Sequence, residues 1–512
     1  MRDLLVDDNT ILVTKKDEVY AKIHCERAMA KELSEYFTFV VPGCQFSPAF
    51  RNKIWDGKIR LYNLQSSTIY LGLLSYIEEF ANERDYVVEY GDPRPDLADE
   101  YSLIQGQEFI DSLCLHANGK DLETRDYQLN AFVHAIRSRR VLLLSPTASG
   151  KSLIIYAIIM MMRERGLRGL ILVPTTSLVE QLYSDFQEYS TKNDFDVEAN
   201  VHRIYQGKDK VTNKGLIIST WQSLYTLPED YFKQFDFVIG DEAHLFKAKS
   251  LTHIMSSCIN AKYRVGLTGS LDNTKTHKLV LEGLFGPVRK VTTTRELMDR
   301  KQLAELYIKC LVLKHPEKVC EQFKLIKDYQ AELEYLVTND ERNNFIKNLA
   351  LSLGKNTLIL YQFVDKQGRV LYDKLLASKN LGDKKVYFIH GGVEAEEREM
   401  IRKLLEKEDG VIIVASYGTF STGVNMRNLH HVIFASPSKS RIRNLQSIGR
   451  GLRTGDNKTE AILFDIADDM RSGKKMNVTL KHFVERVRLY NEEKFPYKIY
   501  KIGLKNGNNG SK

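Results

Sequence analysis

Val141-Leu-Leu-Leu-Ser-Pro-Thr-Ala-Ser-Gly-Lys-Ser152 is the stretch on which the reading of this chain turns. Its apolar start, Val141 to Leu144, suits a buried parallel strand, and the apolar run Leu153 to Met162 that follows suits a core helix. The loop between them ends in Gly150-Lys151-Ser152, the arrangement that cradles phosphates. Loop and helix N–H groups face the anion, a lysine reaches the outer phosphates and a hydroxyl binds Mg²⁺. Thr147, Ala148, Ser149, Gly150, Lys151 and Ser152 are therefore the expected nucleotide-binding residues, with Ser152 also expected on the metal. Ser145 stands where the usual pattern opens with glycine.

Composition bounds the rest. A chain of 512 residues, 43% hydrophobic and 27% charged, has material for about three globular domains. The run Leu153 to Met162 falls well short of the ~20 apolar residues that span a bilayer, so no membrane association is expected. Acids follow Met1 where an export signal would be apolar, and the six cysteines are scattered, which suits a reducing cytoplasm rather than a disulfide frame or zinc site. The net charge of +8 is concentrated: from Arg471 to Lys512 there are eleven Lys/Arg against three Glu, and the remaining chain balances at 63 against 63. A basic tail of this kind suits a polyanion.

Residues 1–95 read as a small α/β module. Val19, Ala21, Ile23 and Cys25 alternate as in a half-buried strand, Arg27 to Phe37 and Leu71 to Arg84 have helical spacing, and Tyr86 to Tyr90 is strand-like. Between the helices, Phe46, Phe50 and Trp55 interleave with Arg51, Lys53, Lys58 and Arg60. That pattern fits contacts to a nucleic-acid backbone and its bases, and equally an Asp-Gly turn between two strands over a small core. Gly91-Asp-Pro-Arg-Pro-Asp96 reads as a linker.

Residues 96–295 form the expected first lobe. Upstream of the loop, Gln128 in Arg125-Asp-Tyr-Gln128 has an amide able to donate to and accept from an adenine edge, which favours ATP. Two strand-to-helix turns, at Val173-Pro-Thr-Thr176 and Ser219-Thr-Trp221, offer hydroxyls and N–H groups to a phosphate backbone through Thr175, Thr176, Thr220 and Trp221; ordinary helix capping is the competing reading. Phe237-Val-Ile-Gly-Asp-Glu-Ala-His244 is a strand ending in two acids, Asp241 to hold Mg²⁺ and Glu242 to orient and deprotonate water. Thr268 and Ser270 supply small hydroxyls that could link the acid loop to a bound strand.

Residues 296–355 read as a connector with a strand-like Leu306 to Leu313, inside a second lobe spanning 296–470. Alternating strands and helices from Thr357 onward imply a second doubly wound parallel sheet, without a phosphate loop but with Gln446-Ser-Ile-Gly-Arg-Gly-Leu-Arg453. Arg450 and Arg453, three apart, would share a helical face and stabilise charge on the γ-phosphate from across a cleft. Residues 471–512 read as a helical basic extension: Leu480, Phe483, Val484, Val487 and Tyr490 form its apolar stripe, with Lys481, Arg486 and Arg488 off it.

Taken together, Arg-Asp-Tyr-Gln, Gly-Lys-Ser, Val-Pro-Thr-Thr, Asp-Glu-Ala-His, Leu-Thr-Gly-Ser, Ser-Thr-Gly-Val-Asn and Gln-Ser-Ile-Gly-Arg-Gly-Leu-Arg follow the order found in superfamily 2 helicases and translocases, which the chain from Arg125 to Arg453 resembles. Phe46-Ser-Pro to Leu61, Ala415 to Gly423, Asn428 to Val432 and Glu493-Lys-Phe extend the likeness, over nearly the whole chain, to phage recombination and repair helicases of that superfamily. The resemblance implies two RecA-like lobes and ATP-driven, Mg²⁺-dependent unwinding of R-loops and D-loops, junction migration and fork regression. It implies Lys151, Asp241, Glu242, Gln446, Arg450 and Arg453 as ATPase residues, and the loops of Thr175, Thr176, Thr220, Trp221, His390, Gly391, Ser421 and Thr422 as the strand-binding surface. It tolerates small residues at Ser145. The implied partners are branched, single-stranded and hybrid DNA with single-strand-binding or recombination proteins, for a monomer in the host cytoplasm. An RNA helicase, the motor of a restriction or repair complex, and an ATP-gated clamp or annealing module are the alternatives. Removal of residues 1–95 is expected to leave ATPase largely intact and to weaken action on branched substrates.

Overall fold

The computed structural model describes residues 9–504 apart from 93, 95–97, 118, 206, 247, 272–273, 326–327, 394–396, 398–399, 402–403, 406, 422–427, 438–439, 441–458, 472 and 474. The chain divides into two compact units, one made of Met1–Ser145 with Ser149–Val291 and the other of Thr292–Lys512 with the short stretch Pro146–Ala148.

In the first unit, β1 (Thr10–Lys15), β2 (Tyr20–His24), β3 (Thr38–Val40), β4 (Lys58–Arg60), β5 (Tyr62–Asn63), β6 (Thr68–Tyr70) and β7 (Val87–Tyr90) build the N-terminal module. Five of them align as β5-β6-β2-β1-β7, and β3 pairs with β4 as a separate antiparallel arm. After a short ribbon of β8 (His116–Ala117) and β9 (Lys120–Asp121) comes the large sheet. Its strands are β10 (Arg140–Leu144), β11 (Gly169–Val173), β12 (Val201–Ile204), β13 (Leu216–Thr220), β14 (Phe237–Asp241), β15 (Tyr263–Thr268) and β16 (Val288–Lys290). They run parallel in the order β12-β13-β11-β14-β15-β10-β16. Each crossover returns the chain to the same edge, so every strand's carboxyl end, and the loop after it, lies on one rim.

Strand alternation divides the core of this lobe. Val141, Leu143, Ile171, Val173, Ile239 and Leu267 point to the face covered by helices Asp126–Ser138, Lys151–Glu164 and Thr176–Tyr189. Leu142, Leu170, Leu172, Ile217 and Val238 point to the other, and there the core is continuous with Ile11, Val13, Leu33, Phe37, Ile77 and Phe80 of the N-terminal module. Module and lobe share one hydrophobic core. The seam is close: a Cβ on Gly72 would come within 1.9 Å of the Glu282 carbonyl oxygen. Polar ties reinforce it, with Tyr76 donating to Glu282 Oε2 at 2.7 Å and Arg140 Nη2 to Glu18 Oε2 at 2.9 Å.

The second unit repeats the plan. Its strands are β17 (Glu305–Lys314), β18 (Thr357–Tyr361), β19 (Val386–Ile389), β20 (Ile412–Ser416), β21 (His431–Phe434), β22 (Glu460–Asp469) and β23 (Tyr497–Gly503), all parallel, in the order β19-β20-β18-β21-β22-β17-β23. The strand in the 296–355 connector is an interior strand of this sheet. One reading from sequence needs correction. The tail is not only helical: helix Val478–Glu492 is followed by β23, which pairs with β17 along seven residues. β23 reads Tyr497-Lys-Ile-Tyr-Lys-Ile-Gly503, its apolar residues broken by two lysines without a period of two, so the basic composition of the tail masks the strand. Arg486, expected on the polar face, is buried against Asp465 with Nη2–Oδ1 at 2.7 Å, and Tyr490 donates to the same carboxylate at 2.8 Å. Burial opposes the Arg486 charge, but Asp465 reverses that and holds its pKa above the ordinary value. Among the described residues, no helix is long and apolar enough to cross a membrane.

Candidate active site on the strand rim

The phosphate-loop sequence folds as expected: β10 ends at Leu144, and helix Lys151–Glu164 starts after Gly150, whose φ of +83° is the left-handed conformation glycine adopts without strain. Ala148 is also left-handed, at φ +66°. A loop with such turns directs backbone N–H groups toward one concavity, and the helix start adds its partial positive charge. The serine at the loop's opening has a structural task. Ser145 is fully buried, its Oγ lies 2.6 Å from Ser149 Oγ, and its carbonyl oxygen accepts from Lys151 Nζ at 3.4 Å. The hydroxyl pair braces the loop from inside.

Gln128, expected to meet an adenine edge, lies against the loop. Its amide is buried and committed at both ends: Nε2 donates to Ser149 O at 2.9 Å, and Oε1 accepts from Arg125 N at 3.0 Å. Here it braces the loop, and an adenine edge would have to displace those bonds. Ser152 Oγ lies 3.0 Å from the Tyr189 hydroxyl.

The acid pair sits on the same rim, at the end of β14. Asp241 is 6% exposed and accepts from Glu242 N at 2.9 Å. Burial and the neighbouring Glu242 charge push the Asp241 pKa up to about 6, against the pull of Lys151. Glu242 takes a left-handed φ of +51°, an uncommon conformation for a non-glycine residue that turns the chain sharply after the strand.

Thr268, at the end of β15 between β14 and β10, joins the two loops. Its carbonyl oxygen accepts from Ser145 N at 2.8 Å. Its hydroxyl donates to Ser270 O at 3.0 Å, which leaves the oxygen to accept from His244 Nδ1, also at 3.0 Å. His244 Nδ1 is in turn 3.3 Å from Glu242 Oε2. Thr268 and His244 therefore belong to the site; the sequence reading assigned Thr268 only to a strand-binding link and His244 to nothing. Among the described residues there is no cluster of three or more His, Cys, Asp or Glu able to hold a metal by themselves. One carboxylate, Asp241, and one hydroxyl, Ser152, suit Mg²⁺, which keeps waters and takes its other ligands from substrate phosphates.

The expected strand-binding residues fall on the rims of their own sheets. Thr175 caps helix Thr176–Tyr189 by accepting from Leu178 N, Thr176 is exposed, and Thr220 Oγ1 lies 2.9 Å from Ser223 Oγ. Trp221 opens the next short helix, its ring 6.0 Å from that of Tyr225, which is 46% exposed. In the second unit His390 and the exposed Gly391 follow edge strand β19, and Ser421 ends the helix Tyr417–Ser421. Thr422, Gln446, Arg450 and Arg453 lie outside the described residues.

Comparison with known proteins completes the picture. Three family models match: the N-terminal domain of DNA helicase UvsW at residues 10–91, the res subunit of type III restriction enzymes at 121–273 and the helicase conserved C-terminal domain at 341–455. The ATP-dependent DNA helicase UvsW of Enterobacteria phage T4 is 34% identical over 507 residues, covering 95% of this chain and 98% of its own. The DNA 3'-5' translocase XPB2 of Sulfurisphaera tokodaii is 24% identical, covering 70% of this chain and 84% of its own. Among solved structures, T4 UvsW aligns over 97% of this chain and 100% of its own at 32% identity, with a TM-score of 0.52. The type ISP restriction-modification enzyme LlaBIII bound to DNA aligns over 82% of this chain and 34% of its own at 15% identity and a TM-score of 0.56, a likeness of fold alone. With two parallel-sheet lobes, a matching N-terminal domain and 34% identity along its length, the chain belongs to the UvsW family of superfamily 2 ATP-dependent DNA helicases.

Proposed function

We propose that this helicase remodels branched and hybrid nucleic acids, unwinding R-loops and D-loops, migrating junctions and regressing forks. The observation that supports it most directly is the position of Thr268. One residue is bonded to the phosphate loop through Ser145 and, through its hydroxyl, to His244 beside Glu242. A change at the γ-phosphate would be passed to the rim through these bonds. The N-terminal module supports the branched substrate, because its basic, aromatic excursion is anchored in the same core as the ATPase lobe.

In this reading Thr147 to Ser152 hold the phosphates, with Lys151 on the outer ones, and Ser152 and Asp241 are the protein's ligands to Mg²⁺. When bound, Mg²⁺ neutralises charge on the phosphate oxygens. Glu242 orients the attacking water and takes its proton, and His244 holds Glu242 in place. Gln446, Arg450 and Arg453 stabilise charge on the γ-phosphate. Thr175, Thr176, Thr220, Trp221, His390, Gly391, Ser421 and Thr422 contact the strand backbone, which carries position but no sequence information.

The test is ATP-dependent unwinding by wild type and Glu242→Gln of a four-way DNA junction, an R-loop, a simple fork and an RNA duplex. Junction and R-loop activity, lost in the variant while DNA binding survives, is the expected result. Activity on the RNA duplex alone would overturn the reading.

A further inference from the structure

The arm β3–β4 carries at its end the excursion Val41–Gly57, which closes on itself: Val41 N donates to Gly57 O at 2.8 Å. It is a built knob rather than a slack loop. A 3₁₀ turn, Cys44–Phe46, leads into the short helix Pro48–Arg51. Gly57 sits so close to the interior that a Cβ there would meet Cys44 Sγ at 2.8 Å and the Phe50 ring at 2.9 Å. Trp55 Nε1 donates to Lys58 O at 2.9 Å, and Arg51 Nε to Gln45 O at 3.2 Å.

With that interior filled by Cys44 and Phe50, the knob still leaves two large apolar side chains outside: Phe46 is 70% exposed and Ile54 79%. Val40, at the end of β3, is 61% exposed. Two such side chains on one small, well-closed knob have a water-facing cost that the fold does not recover. Around them the exposed charges are mostly positive. Arg51, Lys53 and Lys58 are exposed, and the single acid of the excursion, Asp56, is paired with Arg60 at 2.5 Å. An apolar tip within a cationic collar matches the end of a duplex, where a base-pair face is apolar and the phosphates beside it are anionic. Apolar wedges of Phe and Ile between base steps are an established way of unstacking DNA. A second copy of the chain would set one cationic collar against another. The root of the arm is rigid, since Phe37 is fully buried in the core shared with the ATPase lobe and bonds to Leu61 across the arm.

We infer that the Val41–Gly57 knob is the element that parts the strands of a branched duplex, with Phe46 and Ile54 against the last base pair and Arg51, Lys53 and Lys58 on the diverging backbones. The inference rests on the branched-DNA reading above and names the residues that would meet the junction.

The test compares full-length wild type with Phe46→Ala/Ile54→Ala, and with Phe46→Leu as a conservative variant. Three readouts are needed: ATPase stimulated by single-stranded DNA, unwinding of a forked duplex, and fluorescence of 2-aminopurine placed at the first base pair of that fork, with saturating protein and no ATP. Wild type is expected to raise the 2-aminopurine signal and the double variant to lose that rise, with fork unwinding down about tenfold or more and ATPase within about twofold, the range that one or two lost stacking contacts allow. Phe46→Leu should recover part of both. The inference is overturned by a double variant that unwinds the fork and raises the signal like wild type. It is equally overturned if ATPase falls in step with unwinding, or if the substitutions only convert a dimer to a monomer in sedimentation. Absence of DNA-stimulated ATPase or of fork unwinding in wild type would instead defeat the proposed function.

Discussion

The C-terminal tail and the excursion Phe46–Tyr62 of the N-terminal module look alike in sequence and are used in opposite ways. Each is short, basic and interspersed with aromatics, and each belongs to a segment that reads as an appendage to a motor lobe. The tail gives part of its charge to the interior: Arg486 closes onto Asp465 at 2% exposure, and β23 becomes the edge strand of the second sheet. The N-terminal module instead gives its apolar face to the interior and leaves Arg51, Lys53 and Lys58 in water. Charge counted along a sequence is therefore no measure of charge offered to a polyanion. A buried arginine neutralises a buried acid, and only the exposed ones can attract phosphate.

Several variants would break or sharpen this contrast. The largest effect is expected from deleting residues 1–91. The face of the first large sheet that carries Leu142, Leu170 and Val238 would lose its cover, so the truncated chain should lose soluble yield and ATPase together. The sequence alone suggested the opposite outcome. A truncated protein that melts cooperatively and hydrolyses ATP at the wild-type rate would restore the idea of a detachable module.

Asp241→Asn comes next. It should abolish turnover yet raise the melting temperature at neutral pH, by about 2–4 °C, because it removes a buried charge beside Glu242. The pH dependence follows from the same shift. With its pKa raised to about 6, Asp241 favours the fold in its protonated form. That contribution is complete below the ordinary aspartate pKa and is lost as pH rises through about 6. Turnover has the reverse trend, falling as pH drops through that value, because a protonated carboxyl is a poor Mg²⁺ ligand. Calorimetry and ATPase assays from pH 5 to 8 check both; a variant with unchanged melting temperature at every pH would remove the electrostatic account.

At the other end of the chain, Arg486→Ala leaves Asp465 buried without its cation and should cost about 3–5 kcal/mol in denaturant unfolding of the second unit. Arg488→Ala, two residues away and 67% exposed, should change stability by no more than about 0.5 kcal/mol. Equal effects of the two would erase the distinction between spent and offered charge. The smaller seam test is Gly72→Ala, whose methyl must push against the Glu282 carbonyl; a loss of about 1–3 kcal/mol is expected in the first unit. No loss at all would mean that module and lobe part more readily than their shared core implies.

Much of the candidate nucleotide site was legible because its signals are local. Val141 to Leu144, Gly150 and Lys151 carry strand, turn and helix in one short stretch, and Asp241 and Glu242 end their own strand. What remained hidden depended on distant partners. Gln128 has its bracing partner Ser149 twenty-one residues away, and Thr268 meets His244 across twenty-four.

The sequence by itself determined the order of the motifs, two doubly wound lobes and a phosphate loop followed by an acid pair, because strand and helix periodicity and motif spacing are set by near neighbours. Only the tertiary structure decided that the N-terminal module is welded to the first lobe, that β17 and β23 pair across nearly two hundred residues, and that Arg486 is spent inside while the β3–β4 knob keeps its cations outside. The physical reason is burial. Whether a side chain meets water, an acid or another core is fixed by which distant segments pack over it, and no local window of sequence contains that information.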